Sequence, residues 1–229
     1  MEETGGYTPP PSELQDLLLH RPELDGFLTG LAELLARVLK RAGIEACLIA
    51  VERPRRQRIR AASAPGFLAL DDQLNRDGGP AGAALKTGAP VVMPVAVAER
   101  DTRPVAAVPI GILGPGAAVL LCLAQDRETP GPRTLRRLES AAAAAAPSLS
   151  IALRLDAQMH RAGNLQAALE SRTVVDLAAG IIMGQNNCSQ QAAIGILGSV
   201  SNSRNIKVRN VAAGVVAAVT DRVSTHFDE

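Results

Sequence analysis

The chain has 229 residues, 47% of them apolar and only 2% aromatic, with a formal net charge of +1. That length suits one large domain or two small ones. The scarcity of aromatic rings speaks against a pocket that stacks a flat cofactor or a single-strand platform built on base stacking. The near-neutral charge speaks against recruitment to nucleic acid or membrane by a global field, so any such partner must meet a local patch.

In chain order, residues 1–11 are acidic and Pro-rich and read as disordered. From Ser12 to about Ala42 leucines recur at three and four, with Pro22 and Gly30 as interruptions. This predicts a short segment, then a main helix over about 24–41 stopped by Gly43. IEACLIAVE (44–52) reads as a strand and RIRAASA (58–64) as its partner. Five arginines, from Arg53 to Arg60, run through the turn between them and into the second strand. These are either a phosphate-binding patch or a solvated hairpin tip whose charges protect an edge; the second reading is the simpler. A loop with Asp71, Asp72 and Asp77 precedes a short helix over 80–87, a Gly turn and a strand over 90–97. Residues 103–125 form two apolar strands around a GPG turn, a hairpin signal. Thr134 is placed to cap a helix that runs from Leu135 to Arg172, with Pro147 expected to kink or break it.

The order of helix, strands, helix, strands and long helix fits an antiparallel sheet with flanking helices better than repeated βαβ units. Beyond it the pattern is all helical. One helix over 165–186 ends at Asn186–Asn187. A second, over 190–202, is capped by Ser189 and turns Ala193, Ile196, Leu197 and Val200 inward. A third, over about 207–222, carries Val208, Val211, Ala212, Val215, Val216 and Val219 on one face. Three such helices make a small bundle.

Catalysis finds no footing in these residues. His20, His160 and His226 are dispersed, and no Ser or Cys lies beside a base. The glycines of GGPAG and GILGPG lack the Lys-Ser/Thr of a phosphate loop. The three cysteines, Cys47, Cys122 and Cys188, have no metal spacing. Cys47 and Cys122 lie in strand-like apolar runs and read as buried thiols. No metal and no cofactor is expected. No basic start followed by an apolar stretch opens the chain, and a cytoplasmic protein is expected.

Two features point to partners. From Arg161 to Val216 there are five cations against Glu170 and Asp176, a net +3. Arg204, Lys207 and Arg209 cluster beside polar Ser201 and Asn205, which is either an RNA-contacting turn or an ordinary polar one. Along the long helix Leu155, Ala162 and Leu169 are spaced by seven, with Met159 and Leu165 between them. This is either a short dimer seam or a face packed on its own domain.

The stretch LQAALESRTVVDLAAGIIMGQNNCSQQAAIGILGSVSNSRNIKVRNVAAGVV (165–216) resembles an ANTAR domain, a three-helix RNA-binding module of bacterial transcription antiterminators. The likeness rests on Ala168-Leu169, Arg172, Val175, Ala178, Gly180, Ile182-Met183, Cys188-Ser189, Ala193 and Leu197, and further on Ser201, Asn205, Lys207, Arg209 and Val211-Ala212. Where the family has Ala-Lys-Gly this chain has Ala178-Ala179-Gly180. If that Lys met phosphate, its loss lowers the salt slope of RNA binding by about one unit. Ile194 replaces a usual aromatic, filling an apolar site, and Gly198 and Ser199 replace basic residues. GPAGAALKTGAPVVMPV and VAAVPIGIL…AAVLLCLAQ are similar to a GAF domain, a sensory fold, over about residues 24–150.

These resemblances imply the following organisation: a short N-terminal segment (1–22), a GAF-like sensory domain (23–150), a helical linker (151–164), an ANTAR-like domain (165–222) and a tail (223–229). They imply a non-enzymatic homodimer that binds tandem RNA hairpins through Arg172, Ser201, Arg204, Asn205, Lys207 and Arg209. The dimer seam is Leu155, Met159, Ala162, Leu165 and Leu169. An unidentified small-molecule signal would sit between sheet and loops, near Phe67, Leu68, Leu74, Met93 and Val108. The short AERDTRP connector implies a small pocket or none. The alternative is a dimeric sensor or protein-interaction regulator whose ANTAR-like part has lost RNA binding.

Overall fold

A computed structural model describes residues 8–54, 57–76 and 78–224, the last five as backbone only. Most of the expected disordered start, together with Arg55, Arg56, Asp77 and the end of the expected tail, lies outside the described residues. The chain divides into two compact units, residues 1–157 and 158–229.

The first unit opens with α1 (Pro11–His20) and α2 (Leu24–Leu39), the latter closed by a 3-10 turn over Lys40–Ala42 and by Gly43 at φ 80°. Helix α1 shows that the N-terminal segment is helical beyond Pro10. Gly30 does not interrupt α2. A Cβ there would lie 2.6 Å from the Leu17 side chain, so the glycine lets α1 pack close.

The sheet comprises β1 (Ile44–Glu52), β2 (Ile59–Ala62), β3 (Val91–Ala98), β4 (Asp101–Ile110) and β5 (Ala117–Ala124), in the order β2-β1-β5-β4-β3, antiparallel throughout. Both faces are covered. Cys47, Ile49, Val51, Val108, Leu120 and Cys122 pack with α1, α2 and Leu138, Ala142, Ala145 and Leu149 of the long helix α6 (Pro132–Asn186). Leu48, Ala50, Val105, Ala107, Leu121 and Leu123 pack with α3 (Pro65–Leu68), α4 (Asp71–Asn75) and α5 (Pro80–Thr87). Burial on both faces explains why β1 and β5 read as unbroken apolar runs rather than as alternation. At the β4–β5 turn, Gly116 has φ 125° and a Cβ would meet the Glu52 carbonyl oxygen at 2.5 Å, so only glycine fits.

Two local expectations change. Residues 65–75 form two short helices, not a loop. Helix α6 begins at Pro132, which puts Thr134 in its first turn, and it runs through Pro147 without a break. A proline removes one N–H and leaves the carbonyl four residues back without its helical donor. Here Pro147 and Ala143 are both exposed, so water can take that carbonyl. Buried Ala142, Ala145, Ala146 and Leu149 hold the flanks on the sheet. The fold class is as expected: an antiparallel sheet with flanking helices, a long helix, then a helical bundle.

The second unit joins the C-terminal part of α6 to α7 (Gln190–Arg204) and α8 (Val208–Ser224). Ser189 caps α7, accepting the Ala192 N–H at 3.3 Å. Asn187 and Asn205 take the left-handed turns at φ 50° and 51°, a conformation asparagine tolerates better than most residues. The core is small: Ala178, Ala179, Ile182, Ala193, Leu197 and Ala212, with valines around them. Ile196, expected inward, is exposed, and Val200 is half-buried. Among the described residues no helix is long and apolar enough to cross a membrane.

Candidate nucleic-acid interface

The turn between α7 and α8 gathers the cations. Arg204 is the last residue of α7, Asn205 is its left-handed cap, and the Lys207 carbonyl accepts the Asn210 and Val211 N–H groups that start α8. Lys207 is therefore the N-cap of α8, and Arg209 lies in its first turn. Arg204, Lys207 and Arg209 are exposed, and among the described residues no carboxylate pairs with them. No acidic residue occupies the first turn of α8. Two cations thus stand at the positive end of a helix dipole, an arrangement that costs stability in the free protein and favours an anion. Arg172 stands apart on α6, exposed, with its Nε 3.7 Å from Asp176 one turn on.

Ser201 has a different role from the one expected. It is buried, and its hydroxyl donates to the Ile206 carbonyl at 2.6 Å. The Ile206 N–H donates in turn to the Ser201 carbonyl at 3.1 Å. Ser201 ties the turn together and offers nothing outward. Asn205 is exposed, but its identity is already explained by its backbone. Ala179 is also reassigned. It is 1% exposed, inside the bundle core, so in this chain the position is a packing site and not a lost surface cation. Ile194, expected to fill an apolar site, is 42% exposed.

The expected seam residues Leu155, Met159, Ala162, Leu165 and Leu169 are all exposed on α6. Ile151, four residues before Leu155 and 55% exposed, extends the same stripe and was legible from that spacing.

The expected pocket residues do not converge. Phe67 and Leu74 are fully packed in the core under α3–α5, Leu68 is exposed, and Met93 pairs with Val105 near the sheet edge. Val108 faces the opposite side, where it lines a cleft of about 520 Å³ with Pro90, Pro109, Leu113, Pro147 and Ser150. The connector after β3 is a tight turn at Glu99–Arg100. Among the described residues, the arginines from Arg53 to Arg60 are paired with carboxylates. Arg53 donates to Asp156 at 2.9 Å, Arg58 pairs with Glu52, and Arg60 pairs with Asp71, whose carboxylate also accepts from Asn75. Arg53 is largely buried in its pair, whereas Arg58 and Arg60 stay partly exposed. Among the described residues no three His, Cys, Asp or Glu side chains group to hold a metal.

Residues 163–216 match the ANTAR domain. No curated protein matches the chain. Among solved structures it is similar to an RNA-binding light-oxygen-voltage receptor, at 18% identity over 76% of this chain and 48% of that one, with TM-score 0.30. It thus spans about half of that receptor's length. It is also similar to the GAF domain of a phosphoenolpyruvate-protein phosphotransferase from Acinetobacter (14% identity, 62% of this chain, 93% of that one, TM-score 0.41). The corresponding domain from Coxiella burnetii is similar at 12% identity, over 68% of this chain and 99% of that one, with TM-score 0.44. At these identities and scores the likenesses assign no function. Residues 163–216 of the helical unit thus match an ANTAR domain, which follows a unit built on a five-stranded antiparallel sheet.

Proposed function

We propose that this chain is a regulator of transcription antitermination that binds tandem RNA hairpins as a dimer in response to a signal. The ANTAR domain supports the RNA-binding reading. The observation that carries the site is the trio Arg204, Lys207 and Arg209 around the α7–α8 turn, with no carboxylate paired to it among the described residues. Arg172 supplies a further phosphate contact and the Asn205 amide a contact to a base edge in a loop. Ser201 holds the turn that presents them.

A few cations per copy give modest affinity. Pairing two copies through Ile151, Leu155, Met159, Ala162, Leu165 and Leu169 links two such sites and raises their effective concentration without new contacts. Within this reading residues 23–150 sense, 151–164 pair, and 165–222 bind RNA. The role is regulatory and not catalytic. The signal is a small molecule that alters the pairing of α6, and holding both hairpins prevents the terminator hairpin from forming.

The test is a titration of the full chain with tandem-hairpin and single-hairpin RNA at two salt concentrations. Salt-sensitive binding that prefers the tandem RNA is expected, and an Arg204, Lys207 and Arg209 triple-alanine variant should lose it. No binding by a folded dimer at low salt would favour the second reading, a dimeric regulator acting through protein contacts. Exposed Ile194 beside uncharged Gly198 and Ser199 is the observation on that side.

A further inference from the structure

Cys47 on β1 and Cys122 on β5 are direct partners in the register of the two middle strands. Their sulfurs are 3.8 Å apart, and both residues are 0% exposed. Burial alone says little, since free cysteine is among the most buried residue types. The pairing geometry says more. The Cys47 N–H donates to Ser63 Oγ at 3.0 Å, and the Cys47 carbonyl accepts the Ser63 N–H at 2.8 Å. Both backbone groups of Cys47 therefore point away from β5. In an antiparallel ladder this makes Cys47–Cys122 a non-hydrogen-bonded pair, the class with the closer strand approach, about 4.5 Å between Cα atoms, and the closer side chains. That spacing falls within the range a disulfide spans, about 4.4–6.8 Å. Closing the sulfurs to bonding distance needs side-chain movement and no change of register.

We propose that Cys47 and Cys122 form an oxidation site at which a peroxide converts the two thiols into a cross-strand disulfide. One sulfur attacks the peroxide; an S–O bond forms, the O–O bond breaks, and water leaves. The second sulfur then displaces the sulfenic hydroxyl as water. The two thiols lose two electrons and two protons, and the peroxide is reduced to two waters. The product ties β1 to β5 and closes a loop between positions 75 apart in sequence. In the reduced pair the Cys122 thiol is held well above its ordinary range, first by its hydrogen bond with Cys47 and then by burial. Formation of the Cys122 thiolate is therefore slow at neutral pH and speeds up as pH rises. Cys188, in the α6–α7 turn, has no cysteine partner.

The experiment uses the full chain carrying Cys188→Ser, exposed to hydrogen peroxide in native buffer at neutral and alkaline pH. It is then alkylated under denaturing conditions and mapped by peptide mass. The expected product is a peptide joining Cys47 to Cys122 within one chain, lighter by two hydrogens and reversed by dithiothreitol. It should form faster at the higher pH, and the cross-linked sheet unit should melt higher by roughly 10 °C. A Cys122→Ser variant should give no cross-link. Recovery of both cysteines as free thiols, sulfinic acid without a cross-link, a cross-link between chains, or a cross-link formed only in denaturant would each overturn the proposal.

Discussion

Replacing Lys207 with Asp should stabilise the helical unit and weaken RNA binding together. The Lys207 carbonyl accepts the Asn210 N–H at 2.9 Å and the Val211 N–H at 3.3 Å, so its side chain sits at the N-cap of a helix with no acidic residue in the first turn. Lysine offers no oxygen to the free N–H groups there and puts a cation at the positive end of the dipole. An aspartate cap contributes about 1 kcal/mol over a non-capping residue, and the reversed charge contributes about 0.3–1 kcal/mol more. The sum, about 1.5 kcal/mol, raises the melting temperature of a unit this small by roughly 5–10 °C. Removing one phosphate contact lowers the salt slope of RNA binding by about one unit and weakens binding at every salt concentration. The assay is thermal unfolding by circular dichroism alongside RNA titration at several salt concentrations. A Lys207→Ser variant separates the cap from the charge. A Lys207→Asp protein that melts lower than the parent would refute the helix-end argument. One that melts higher and binds with an unchanged slope would remove Lys207 from the interface.

Ser201→Ala should destabilise the helical unit by about 1 kcal/mol, because the Ile206 carbonyl loses its hydroxyl donor; the salt slope of RNA binding should not move, and a lowered slope at unchanged stability would restore Ser201 as a contact. Ala179→Lys, which reinstates the family residue, should lower the melting temperature rather than tighten RNA binding, since the site is 1% exposed within an alanine core and burying an ammonium is costly. Tighter binding with unchanged stability would contradict that placement. Leu165→Lys with Leu169→Lys, on exposed positions of α6, should shift the chain from dimer to monomer in analytical ultracentrifugation. The preference for tandem over single-hairpin RNA should vanish with it, and a dimer that persists would locate the interface elsewhere.

Several elements were legible because their signals are local. Pro80 opens α5 and Gly88, at φ 67°, closes it, so both limits of that helix are written in adjacent residues. Apolar runs of strand length between turn signals marked β1, β4 and β5, and the ANTAR likeness marked the helical unit, because each depends on residue type along the chain. The cationic trio was legible for the same reason: Arg204, Lys207 and Arg209 fall within six residues.

Other features depend on which way a side chain points, and there the linear pattern is silent. In strands buried on both faces the apolar run has no alternation. Nothing in it showed that Val108 faces α6 while Phe67 and Leu74 pack on the far side. In α7 and the end of α6, alanine, glycine and serine occur on every side, and small residues constrain helix rotation weakly. The inward placement of Ala179 was therefore decided by packing in the bundle core, and that of Ser201 by its hydrogen bond to the Ile206 carbonyl. Pro147 was tolerated in α6 because its side of the helix faces solvent, a property of the assembled layers. The meeting of Cys47 and Cys122 across 75 positions follows from strand register, which is set when the sheet closes and not by either segment alone.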